Sequence, residues 1–294
     1  MGTFSCHLVC NLARATTQIE NEMSDAFLTR NRRVGAVSSF ADIRLAAGHV
    51  SFSMSELVKE TGLTVSAARS QLHRLGRKIV RVSKAHQFFL IVSPEHFSRG
   101  SPPVDWWLDD YFQWLGHPYY LALQSAASAH GSNPQSIQVT QVITDAPRRP
   151  VTVGQFQVTF FVKRSIQDTP TQQLPNGYAP TRVSTPAATA FDLIRYAARI
   201  GGIGRAVETL RPLLPLINPV GLRTVLEAEN ETATAQRLGY VLDRTGRAKL
   251  AAVIEDWLPT RRPAILLGTM SLGASAGPAT SPWRVIDNSG EFES

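Results

Sequence analysis

A chain of 294 residues with 43% hydrophobic and 18% charged side chains has the composition of a folded globular protein, long enough for two domains. No apolar run approaches the roughly 20 residues needed to span a bilayer, so no membrane partner is expected. Thirty basic against 23 acidic residues leave a net charge of +7, and where that excess sits decides the partner class.

The N-terminus mixes Phe4, Leu8, Val9 and Leu12 with Cys6, His7, Cys10 and Asn11. It lacks a basic leader and makes a poor secretory signal, so the cytoplasm is the expected location. Cys6 and Cys10 are the only cysteines. Without a second pair at zinc-ligand spacing, neither a metal site nor a disulfide is expected. Residues 1–35 read as a flexible basic tail that ends in Arg30, Arg32 and Arg33.

From Met54 the pattern becomes specific. Ser53 and Glu56 form a capping box ahead of Leu57 and Val58, and Gly62 ends that helix. Thr64 is a good N-cap for a second helix over Val65 to Leu75, with Val65, Ala68, Leu72 and Leu75 as its apolar stripe. The opposite face carries Ser66, Arg69, Ser70 and His73, with Arg74, Arg77 and Lys78 close behind. Two β-rich runs follow, Ile79 to Val82 and Gln87 to Val92, joined by Ser83, Lys84, Ala85 and His86. Helix, turn, helix and basic hairpin together predict a winged helix-turn-helix over residues 36–98.

Between Arg30 and Val92 stand eleven basic residues and three acidic ones, Asp42, Glu56 and Glu60, a net +8; the remainder of the chain sums to −1. So local an excess is the electrostatic footprint of a polyanion-binding domain. Ser66, Arg69, Ser70, His73, Arg74, Arg77, Lys78, Arg81, Lys84 and His86, with Arg32 and Arg33 from the tail, are the expected contacts to duplex DNA. A helix is the element that enters the major groove, and these side chains bond base edges and phosphates.

A polar connector, Ser98 to Pro103, closes the first domain. The second, residues 104–294, opens with aromatics from Trp106 to Trp114, and Tyr119 to Ala129 reads as a small-residue helix. Three β-type runs follow, around Ile137 to Ile143, Val151 to Val153 and Gln155 to Val162. In the last, Phe156, Val158, Phe160 and Val162 alternate with polar residues, as in a strand with one buried face. Proline-rich loops around Pro147 to Pro150 and Pro170 to Pro180 punctuate them. Helical patterns then cover Pro186 to Arg199, Ile203 to Leu214, Gly221 to Glu229, Thr232 to Leu242 and Leu250 to Leu258. After about residue 268 the composition is low in complexity, with one short strand expected at Trp283 to Ile286. Strands first and helices after them predict an α+β domain, a small sheet followed by a bundle-like helical region.

The winged helix, the run Tyr120, Leu121, Ala122, Leu123 leading through Ala126 and Ala127 to His130 and Gly131, and Val183, Ser184, Thr185, Pro186 with Thr189, Ala190, Phe191, Asp192, Leu193 carry a resemblance. Gly201 and Gly202, then Arg237, Leu238, Gly239 and Tyr240, continue it in order. From about Ser39 to Trp283 the chain resembles the AbiEi antitoxins of type IV toxin-antitoxin systems. It departs from them at Lys84 to Gln87, where the family often has Arg-Gly before an aromatic strand. The resemblance implies that the N-terminal domain binds inverted repeats in its own promoter and represses the operon. It implies that the C-terminal domain counteracts a nucleotidyltransferase-like toxin without forming a stable complex with it.

Catalytic patterns are thin. Gly202 to Ala206 follows a helix and lacks the third glycine of a dinucleotide loop, so no cofactor is expected. Adjacent Asp109 and Asp110 point to different sides of a helix, and with His117 they read as a solvated helix start. His130 reads as a helix C-terminus and Asp192 as a buried hydrogen-bonding acid. The expectation is a non-enzymatic, sequence-specific DNA-binding antitoxin and autorepressor. A nucleic-acid-processing enzyme recruited by its winged helix, or a ligand-responsive repressor, fits the same elements.

Overall fold

The computed structural model describes residues 35–132, 139–174, 180–268 and 278–292. The chain divides into two compact units, residues 1–102 and 103–294, each taken by itself below. Together they make an α+β protein, and no helix among the described residues is long and apolar enough to cross a membrane.

The first unit runs α1 (Ala36–Ala46), β1 (Ser51–Ser53), α2 (Met54–Thr61), α3 (Val65–Leu75), β2 (Ile79–Arg81) and β3 (Phe88–Ile91). Helix α1 was not anticipated. Its apolar signal is weak because only Val37, Phe40 and Ala41 go inward and its N-terminus has no side-chain cap of its own. The cap comes from afar: the Val37 amide donates to Gln71 Oε1 on α3 at 3.1 Å. Helix α2 starts at the reciprocal capping box, where Glu56 N–H donates to Ser53 Oγ at 3.2 Å and Ser53 N–H to Glu56 Oε2 at 2.6 Å. It ends where Gly62 turns left-handed at φ 65°, a conformation that costs a β-carbon-bearing residue dearly. The three strands form an antiparallel sheet in the order β1-β3-β2, with Phe52 opposite Phe89 and Val80 opposite Leu90. Phe40 and Phe52 meet edge-on at 5.1 Å, Phe52 and Phe89 stack at 5.4 Å, and Leu57, Ala68 and Leu72 close the core over them.

The second unit begins with α4 (Leu108–Leu115), β4 (Tyr119–Leu121) and α5 (Leu123–Ala129). The sequence reading took Tyr119 to Ala129 as one helix. Tyr119 and Tyr120 instead pair with Thr144 and Ile143, a partner 23 or more residues away that local pattern cannot reveal. Then come β5 (Val139–Thr144), β6 (Val151–Val153), β7 (Phe156–Val162), β8 (Thr171–Leu174) and β9 (Thr181–Ser184). Strand β8 lies where proline-rich loop was expected, and β9 directly follows it, because Pro170 and Pro180 precede the strands and leave their ladder amides intact. Residues 137 and 138 of the expected strand before Ile143 lie outside the described residues.

The sheet has six strands, ordered β6-β7-β5-β4-β9-β8, with β5/β7 and β4/β9 parallel and the other pairs antiparallel. Both faces are covered. Tyr120, Ile143 and Phe161 belong to the large helical core. Their neighbours Tyr119 and Phe160 meet Phe112 of α4 at 4.5 and 6.1 Å, inside an aromatic group that continues through Tyr111 to Trp107. Phe160 and Phe161 are therefore both buried, and the single buried face expected of β7 gives way at its C-terminal end.

Helices α6 (Pro186–Arg195), α7 (Ile203–Leu210), α8 (Pro219–Glu229), α9 (Thr232–Arg244) and α10 (Ala248–Trp257) complete the helical core, and β10 (Ile265–Leu266) pairs in parallel with β11 (Val285–Ile286). Helix α9 seats that strand pair. Arg237 Nε donates to the Leu266 carbonyl at 2.8 Å, Tyr240 Oη to Asp287 at 2.9 Å, and Gln236 Nε2 to the Trp283 carbonyl at 2.8 Å. Gly239 makes room for the Trp283 ring: a Cβ there would stand 2.1 Å from it. The Arg-Leu-Gly-Tyr run is thus a docking ledge for the C-terminal strand.

Candidate nucleic-acid interface

The face of α3 is set by helix geometry. At about 100° per residue, Ser66, Arg69, Ser70, His73 and Arg74 fall within an arc of roughly 140°. All five are exposed, while Ala68 and Leu72 turn to the core. Val65, expected in the apolar stripe, is 42% exposed, because as the first helical residue it overhangs the end of the core. Thr64 Oγ1 accepts the Ala67 amide at 3.2 Å and fixes the start of the helix. Ser70 Oγ donates back to the Ser66 carbonyl at 3.1 Å, so its remaining capacity is as an acceptor.

Electrostatics sharpen that face by disposing of the acids. Of the three carboxylates in the basic segment, Glu56 and Glu60 of α2 are engaged by Arg44 of α1, at 3.6 and 3.5 Å. Asp42 lines a cavity of about 130 Å³ with Lys78 and Phe97. Among the described residues no carboxylate pairs with Arg69, Arg74, Arg77, Lys78, Arg81 or Lys84.

Two of the expected contacts also have duties within the unit. The Arg77 guanidinium lies 4.6 Å from the centroid of Phe97. Arg81 Nε donates to the His86 carbonyl at 2.6 Å and its guanidinium sits 6.0 Å from the Phe89 ring, which ties the base of the hairpin to its turn. Lys84 is exposed at the tip of that turn, which the His86 amide closes onto the Ser83 carbonyl at 3.1 Å. Arg32 and Arg33 lie outside the described residues, as do Cys6, His7 and Cys10.

In the second unit Asp109 and His117 line one cavity of about 420 Å³, which Asp110, His130, Asp192 and Gly202 do not line. Asp109 accepts from Tyr119 Oη at 2.9 Å and Gln113 at 2.6 Å. His117 Nδ1 lies 2.8 Å from Asp145. Burial raises the Asp145 carboxyl, but that contact together with hydrogen bonds from Thr144 and the backbone holds it below the usual carboxylate range. His130 caps α5 and bonds the Ser184 carbonyl at 2.7 Å through Nε2. Gly202, at φ 94°, opens α7 after a single turn of tighter helix rather than after a strand. Among the described residues no three His, Cys, Asp or Glu side chains come together as a metal site.

Sequence reasoning missed a buried ionic cluster beneath α6. Asp192, Lys163 and Glu229 have side chains only 1%, 6% and 3% exposed. Lys163 Nζ pairs with Glu229 and lies 3.8 Å from Asp192 Oδ1, Arg195 bonds Glu229 at 2.8 Å, and Tyr120 Oη donates to Asp192 Oδ2 at 2.8 Å. Burial pushes the Asp192 carboxyl up to about 6 against the opposing pull of Lys163. The local hints were Asp192, read from the sequence as a buried hydrogen-bonding acid, and a lysine directly after the apolar run Phe160 to Val162.

Comparison with known proteins bears on the second unit. The crystal structure of the RV2827C protein from Mycobacterium tuberculosis aligns over 88% of this chain and 92% of its own, with 17% identity and a TM-score of 0.62, a likeness of fold. An antigenic nucleotidyltransferase-like protein from Paracoccidioides brasiliensis aligns over 56% of this chain and 94% of its own, at 12% identity and a TM-score of 0.37, below what a shared fold requires. No curated protein matches. Residues 120–244 match the AbiEi antitoxin C-terminal domain. That stretch runs from the first sheet strand through the Asp192 cluster to the end of the α9 ledge, so the similarity to the AbiEi antitoxin C-terminal domain lies wholly within the second unit.

Proposed function

We propose that this chain is a sequence-specific DNA-binding antitoxin that represses its own operon and counteracts a nucleotidyltransferase-like toxin. The observation that carries the DNA half is the exposed polar and basic face of α3, beside a hairpin with Lys84 at its tip, with no carboxylate among the described residues paired with its cations. In this reading the first unit is a winged helix. Ser66, Arg69, Ser70 and His73 read base edges in the major groove, and Arg74, Arg77, Lys78, Arg81, Lys84 and His86 meet the backbone, with Arg32 and Arg33 arriving from the tail. The antitoxin half rests on the family similarity within the second unit. The protein acts in the cytoplasm as a regulator rather than an enzyme and needs no cofactor.

The test is fluorescence anisotropy of the full chain on its own promoter and on random duplex across a salt series. Affinity should fall steeply with salt, because each neutralised phosphate releases counterions. Arg69→Ala should lower the preference for promoter over random DNA by about 1–3 kcal/mol. Lys84→Ala should weaken both duplexes alike. Failure to bind either duplex at low salt would end the DNA reading, and an unchanged ratio in Arg69→Ala would end the assignment of α3 as the reader.

A further inference from the structure

The cluster under α6 contains more carboxylates than cations. Asp192 and Arg195 come from α6, Glu229 from the end of α8, Glu231 from just before α9, Lys163 from just after β7, and Tyr120 from β4. Three acids thus share two bases, and the hydroxyls of Tyr120, Thr169 and Thr234 supply further hydrogen bonds. Glu229 takes both cations at close range, and Glu231, 38% exposed, takes the rest of Arg195. Asp192 is left over. Its Oδ1 is buried without a hydrogen bond, 3.8 Å from Lys163 Nζ and 3.7 Å from Arg195 Nη1, while its Oδ2 accepts from Tyr120. A buried carboxylate held by neighbours already committed elsewhere is the group of such a cluster that neutralises first.

We propose that this cluster is a proton-linked clamp, in which mild acid tightens and alkaline solution loosens the hold of α6 and α8 on the sheet. The charged groups facing Asp192 are Lys163, Arg195 and Glu229, with Tyr120 and Tyr196 as phenols. The phenols are raised further from neutrality by burial, and the Arg195 guanidinium, despite its burial, is held charged by Glu229 and Glu231. Asp192 is therefore the group of the clamp that changes state near neutral pH. A carboxyl that binds its proton more tightly folded than unfolded makes the folded state gain as pH falls. That gain is complete below the ordinary aspartate range and is lost as pH rises through about 6.

The test is urea unfolding of the full chain at pH 5 and pH 8, with hydrogen exchange of the α6 and α8 amides as the local readout, for wild type and Asp192→Asn. Every other ionisable side chain is common to both proteins, so its effect cancels in the comparison. Wild type should gain about tenfold more in its folding constant between pH 8 and pH 5 than the variant does. Parallel pH dependences would overturn the proposal. Should Asp192→Asn fail to fold, the side-chain carboxyl carbon of Asp192 in the wild type can be titrated by NMR. A midpoint near 6 supports the clamp, and one in the ordinary aspartate range overturns it.

Discussion

Substituting Gly239 by alanine sets two known effects against each other. In an exposed helix the change stabilises by about 1 kcal/mol, because glycine carries the larger backbone entropy cost. Here the added methyl would stand 2.1 Å from Trp283 Cζ3 and 2.4 Å from Cε3, far inside contact distance. The indole has little room to retreat. Trp283 is 2% exposed, its Nε1 donates to Asp243 at 3.1 Å, and its carbonyl is held by Gln236. Expelling the ring forfeits most of what a buried tryptophan contributes, about 3–5 kcal/mol. The net expectation is a loss of about 2–4 kcal/mol. Urea unfolding followed by circular dichroism measures it, and a double-mutant cycle with Trp283→Ala assigns it. In the Trp283→Ala background Gly239→Ala should turn neutral or mildly stabilising. Equal destabilisation in both backgrounds, or none with Trp283 present, would refute the reasoning.

Thr64→Ala removes the cap that accepts the Ala67 amide and should cost about 1 kcal/mol of stability, read by thermal melting. Lys163→Met leaves Asp192 and Glu229 with Arg195 as their remaining cation and should destabilise by about 3–5 kcal/mol, a far larger loss than Asp192→Asn at pH 8. Combined Arg69→Ala and Arg74→Ala should abolish DNA binding yet leave protection from the toxin intact. Growth is measured with toxin and variant co-expressed from a promoter the protein does not control, and lost protection at equal protein level would make DNA binding part of the antitoxic act.

Legibility in the sequence followed the range of the interaction. The Ser53 and Glu56 box, the Thr64 cap, the Gly62 stop and the polar face of α3 all depend on residues three to eleven apart, and each stood in the chain as spacing. The local excess of positive charge between Arg30 and Val92 was equally plain, since net charge needs no geometry. The structure added that Arg44 draws off Glu56 and Glu60. It also showed that Arg77 and Arg81 brace the unit while remaining exposed. In the second unit, β4, β8 and β9 are strands of three or four residues, too short to show a period. Their state was decided by ladder partners elsewhere in the sheet. The same holds for the Asp192 cluster, whose directly bonded members Tyr120 and Asp192 lie 72 residues apart, and for Gly239, whose partner Trp283 comes from the far end of the chain. Local hydrogen bonding and periodicity determine what a segment prefers. Burial on both sides, ladder pairing and the desolvation of charge exist only once distant segments meet, so the tertiary structure alone decided them.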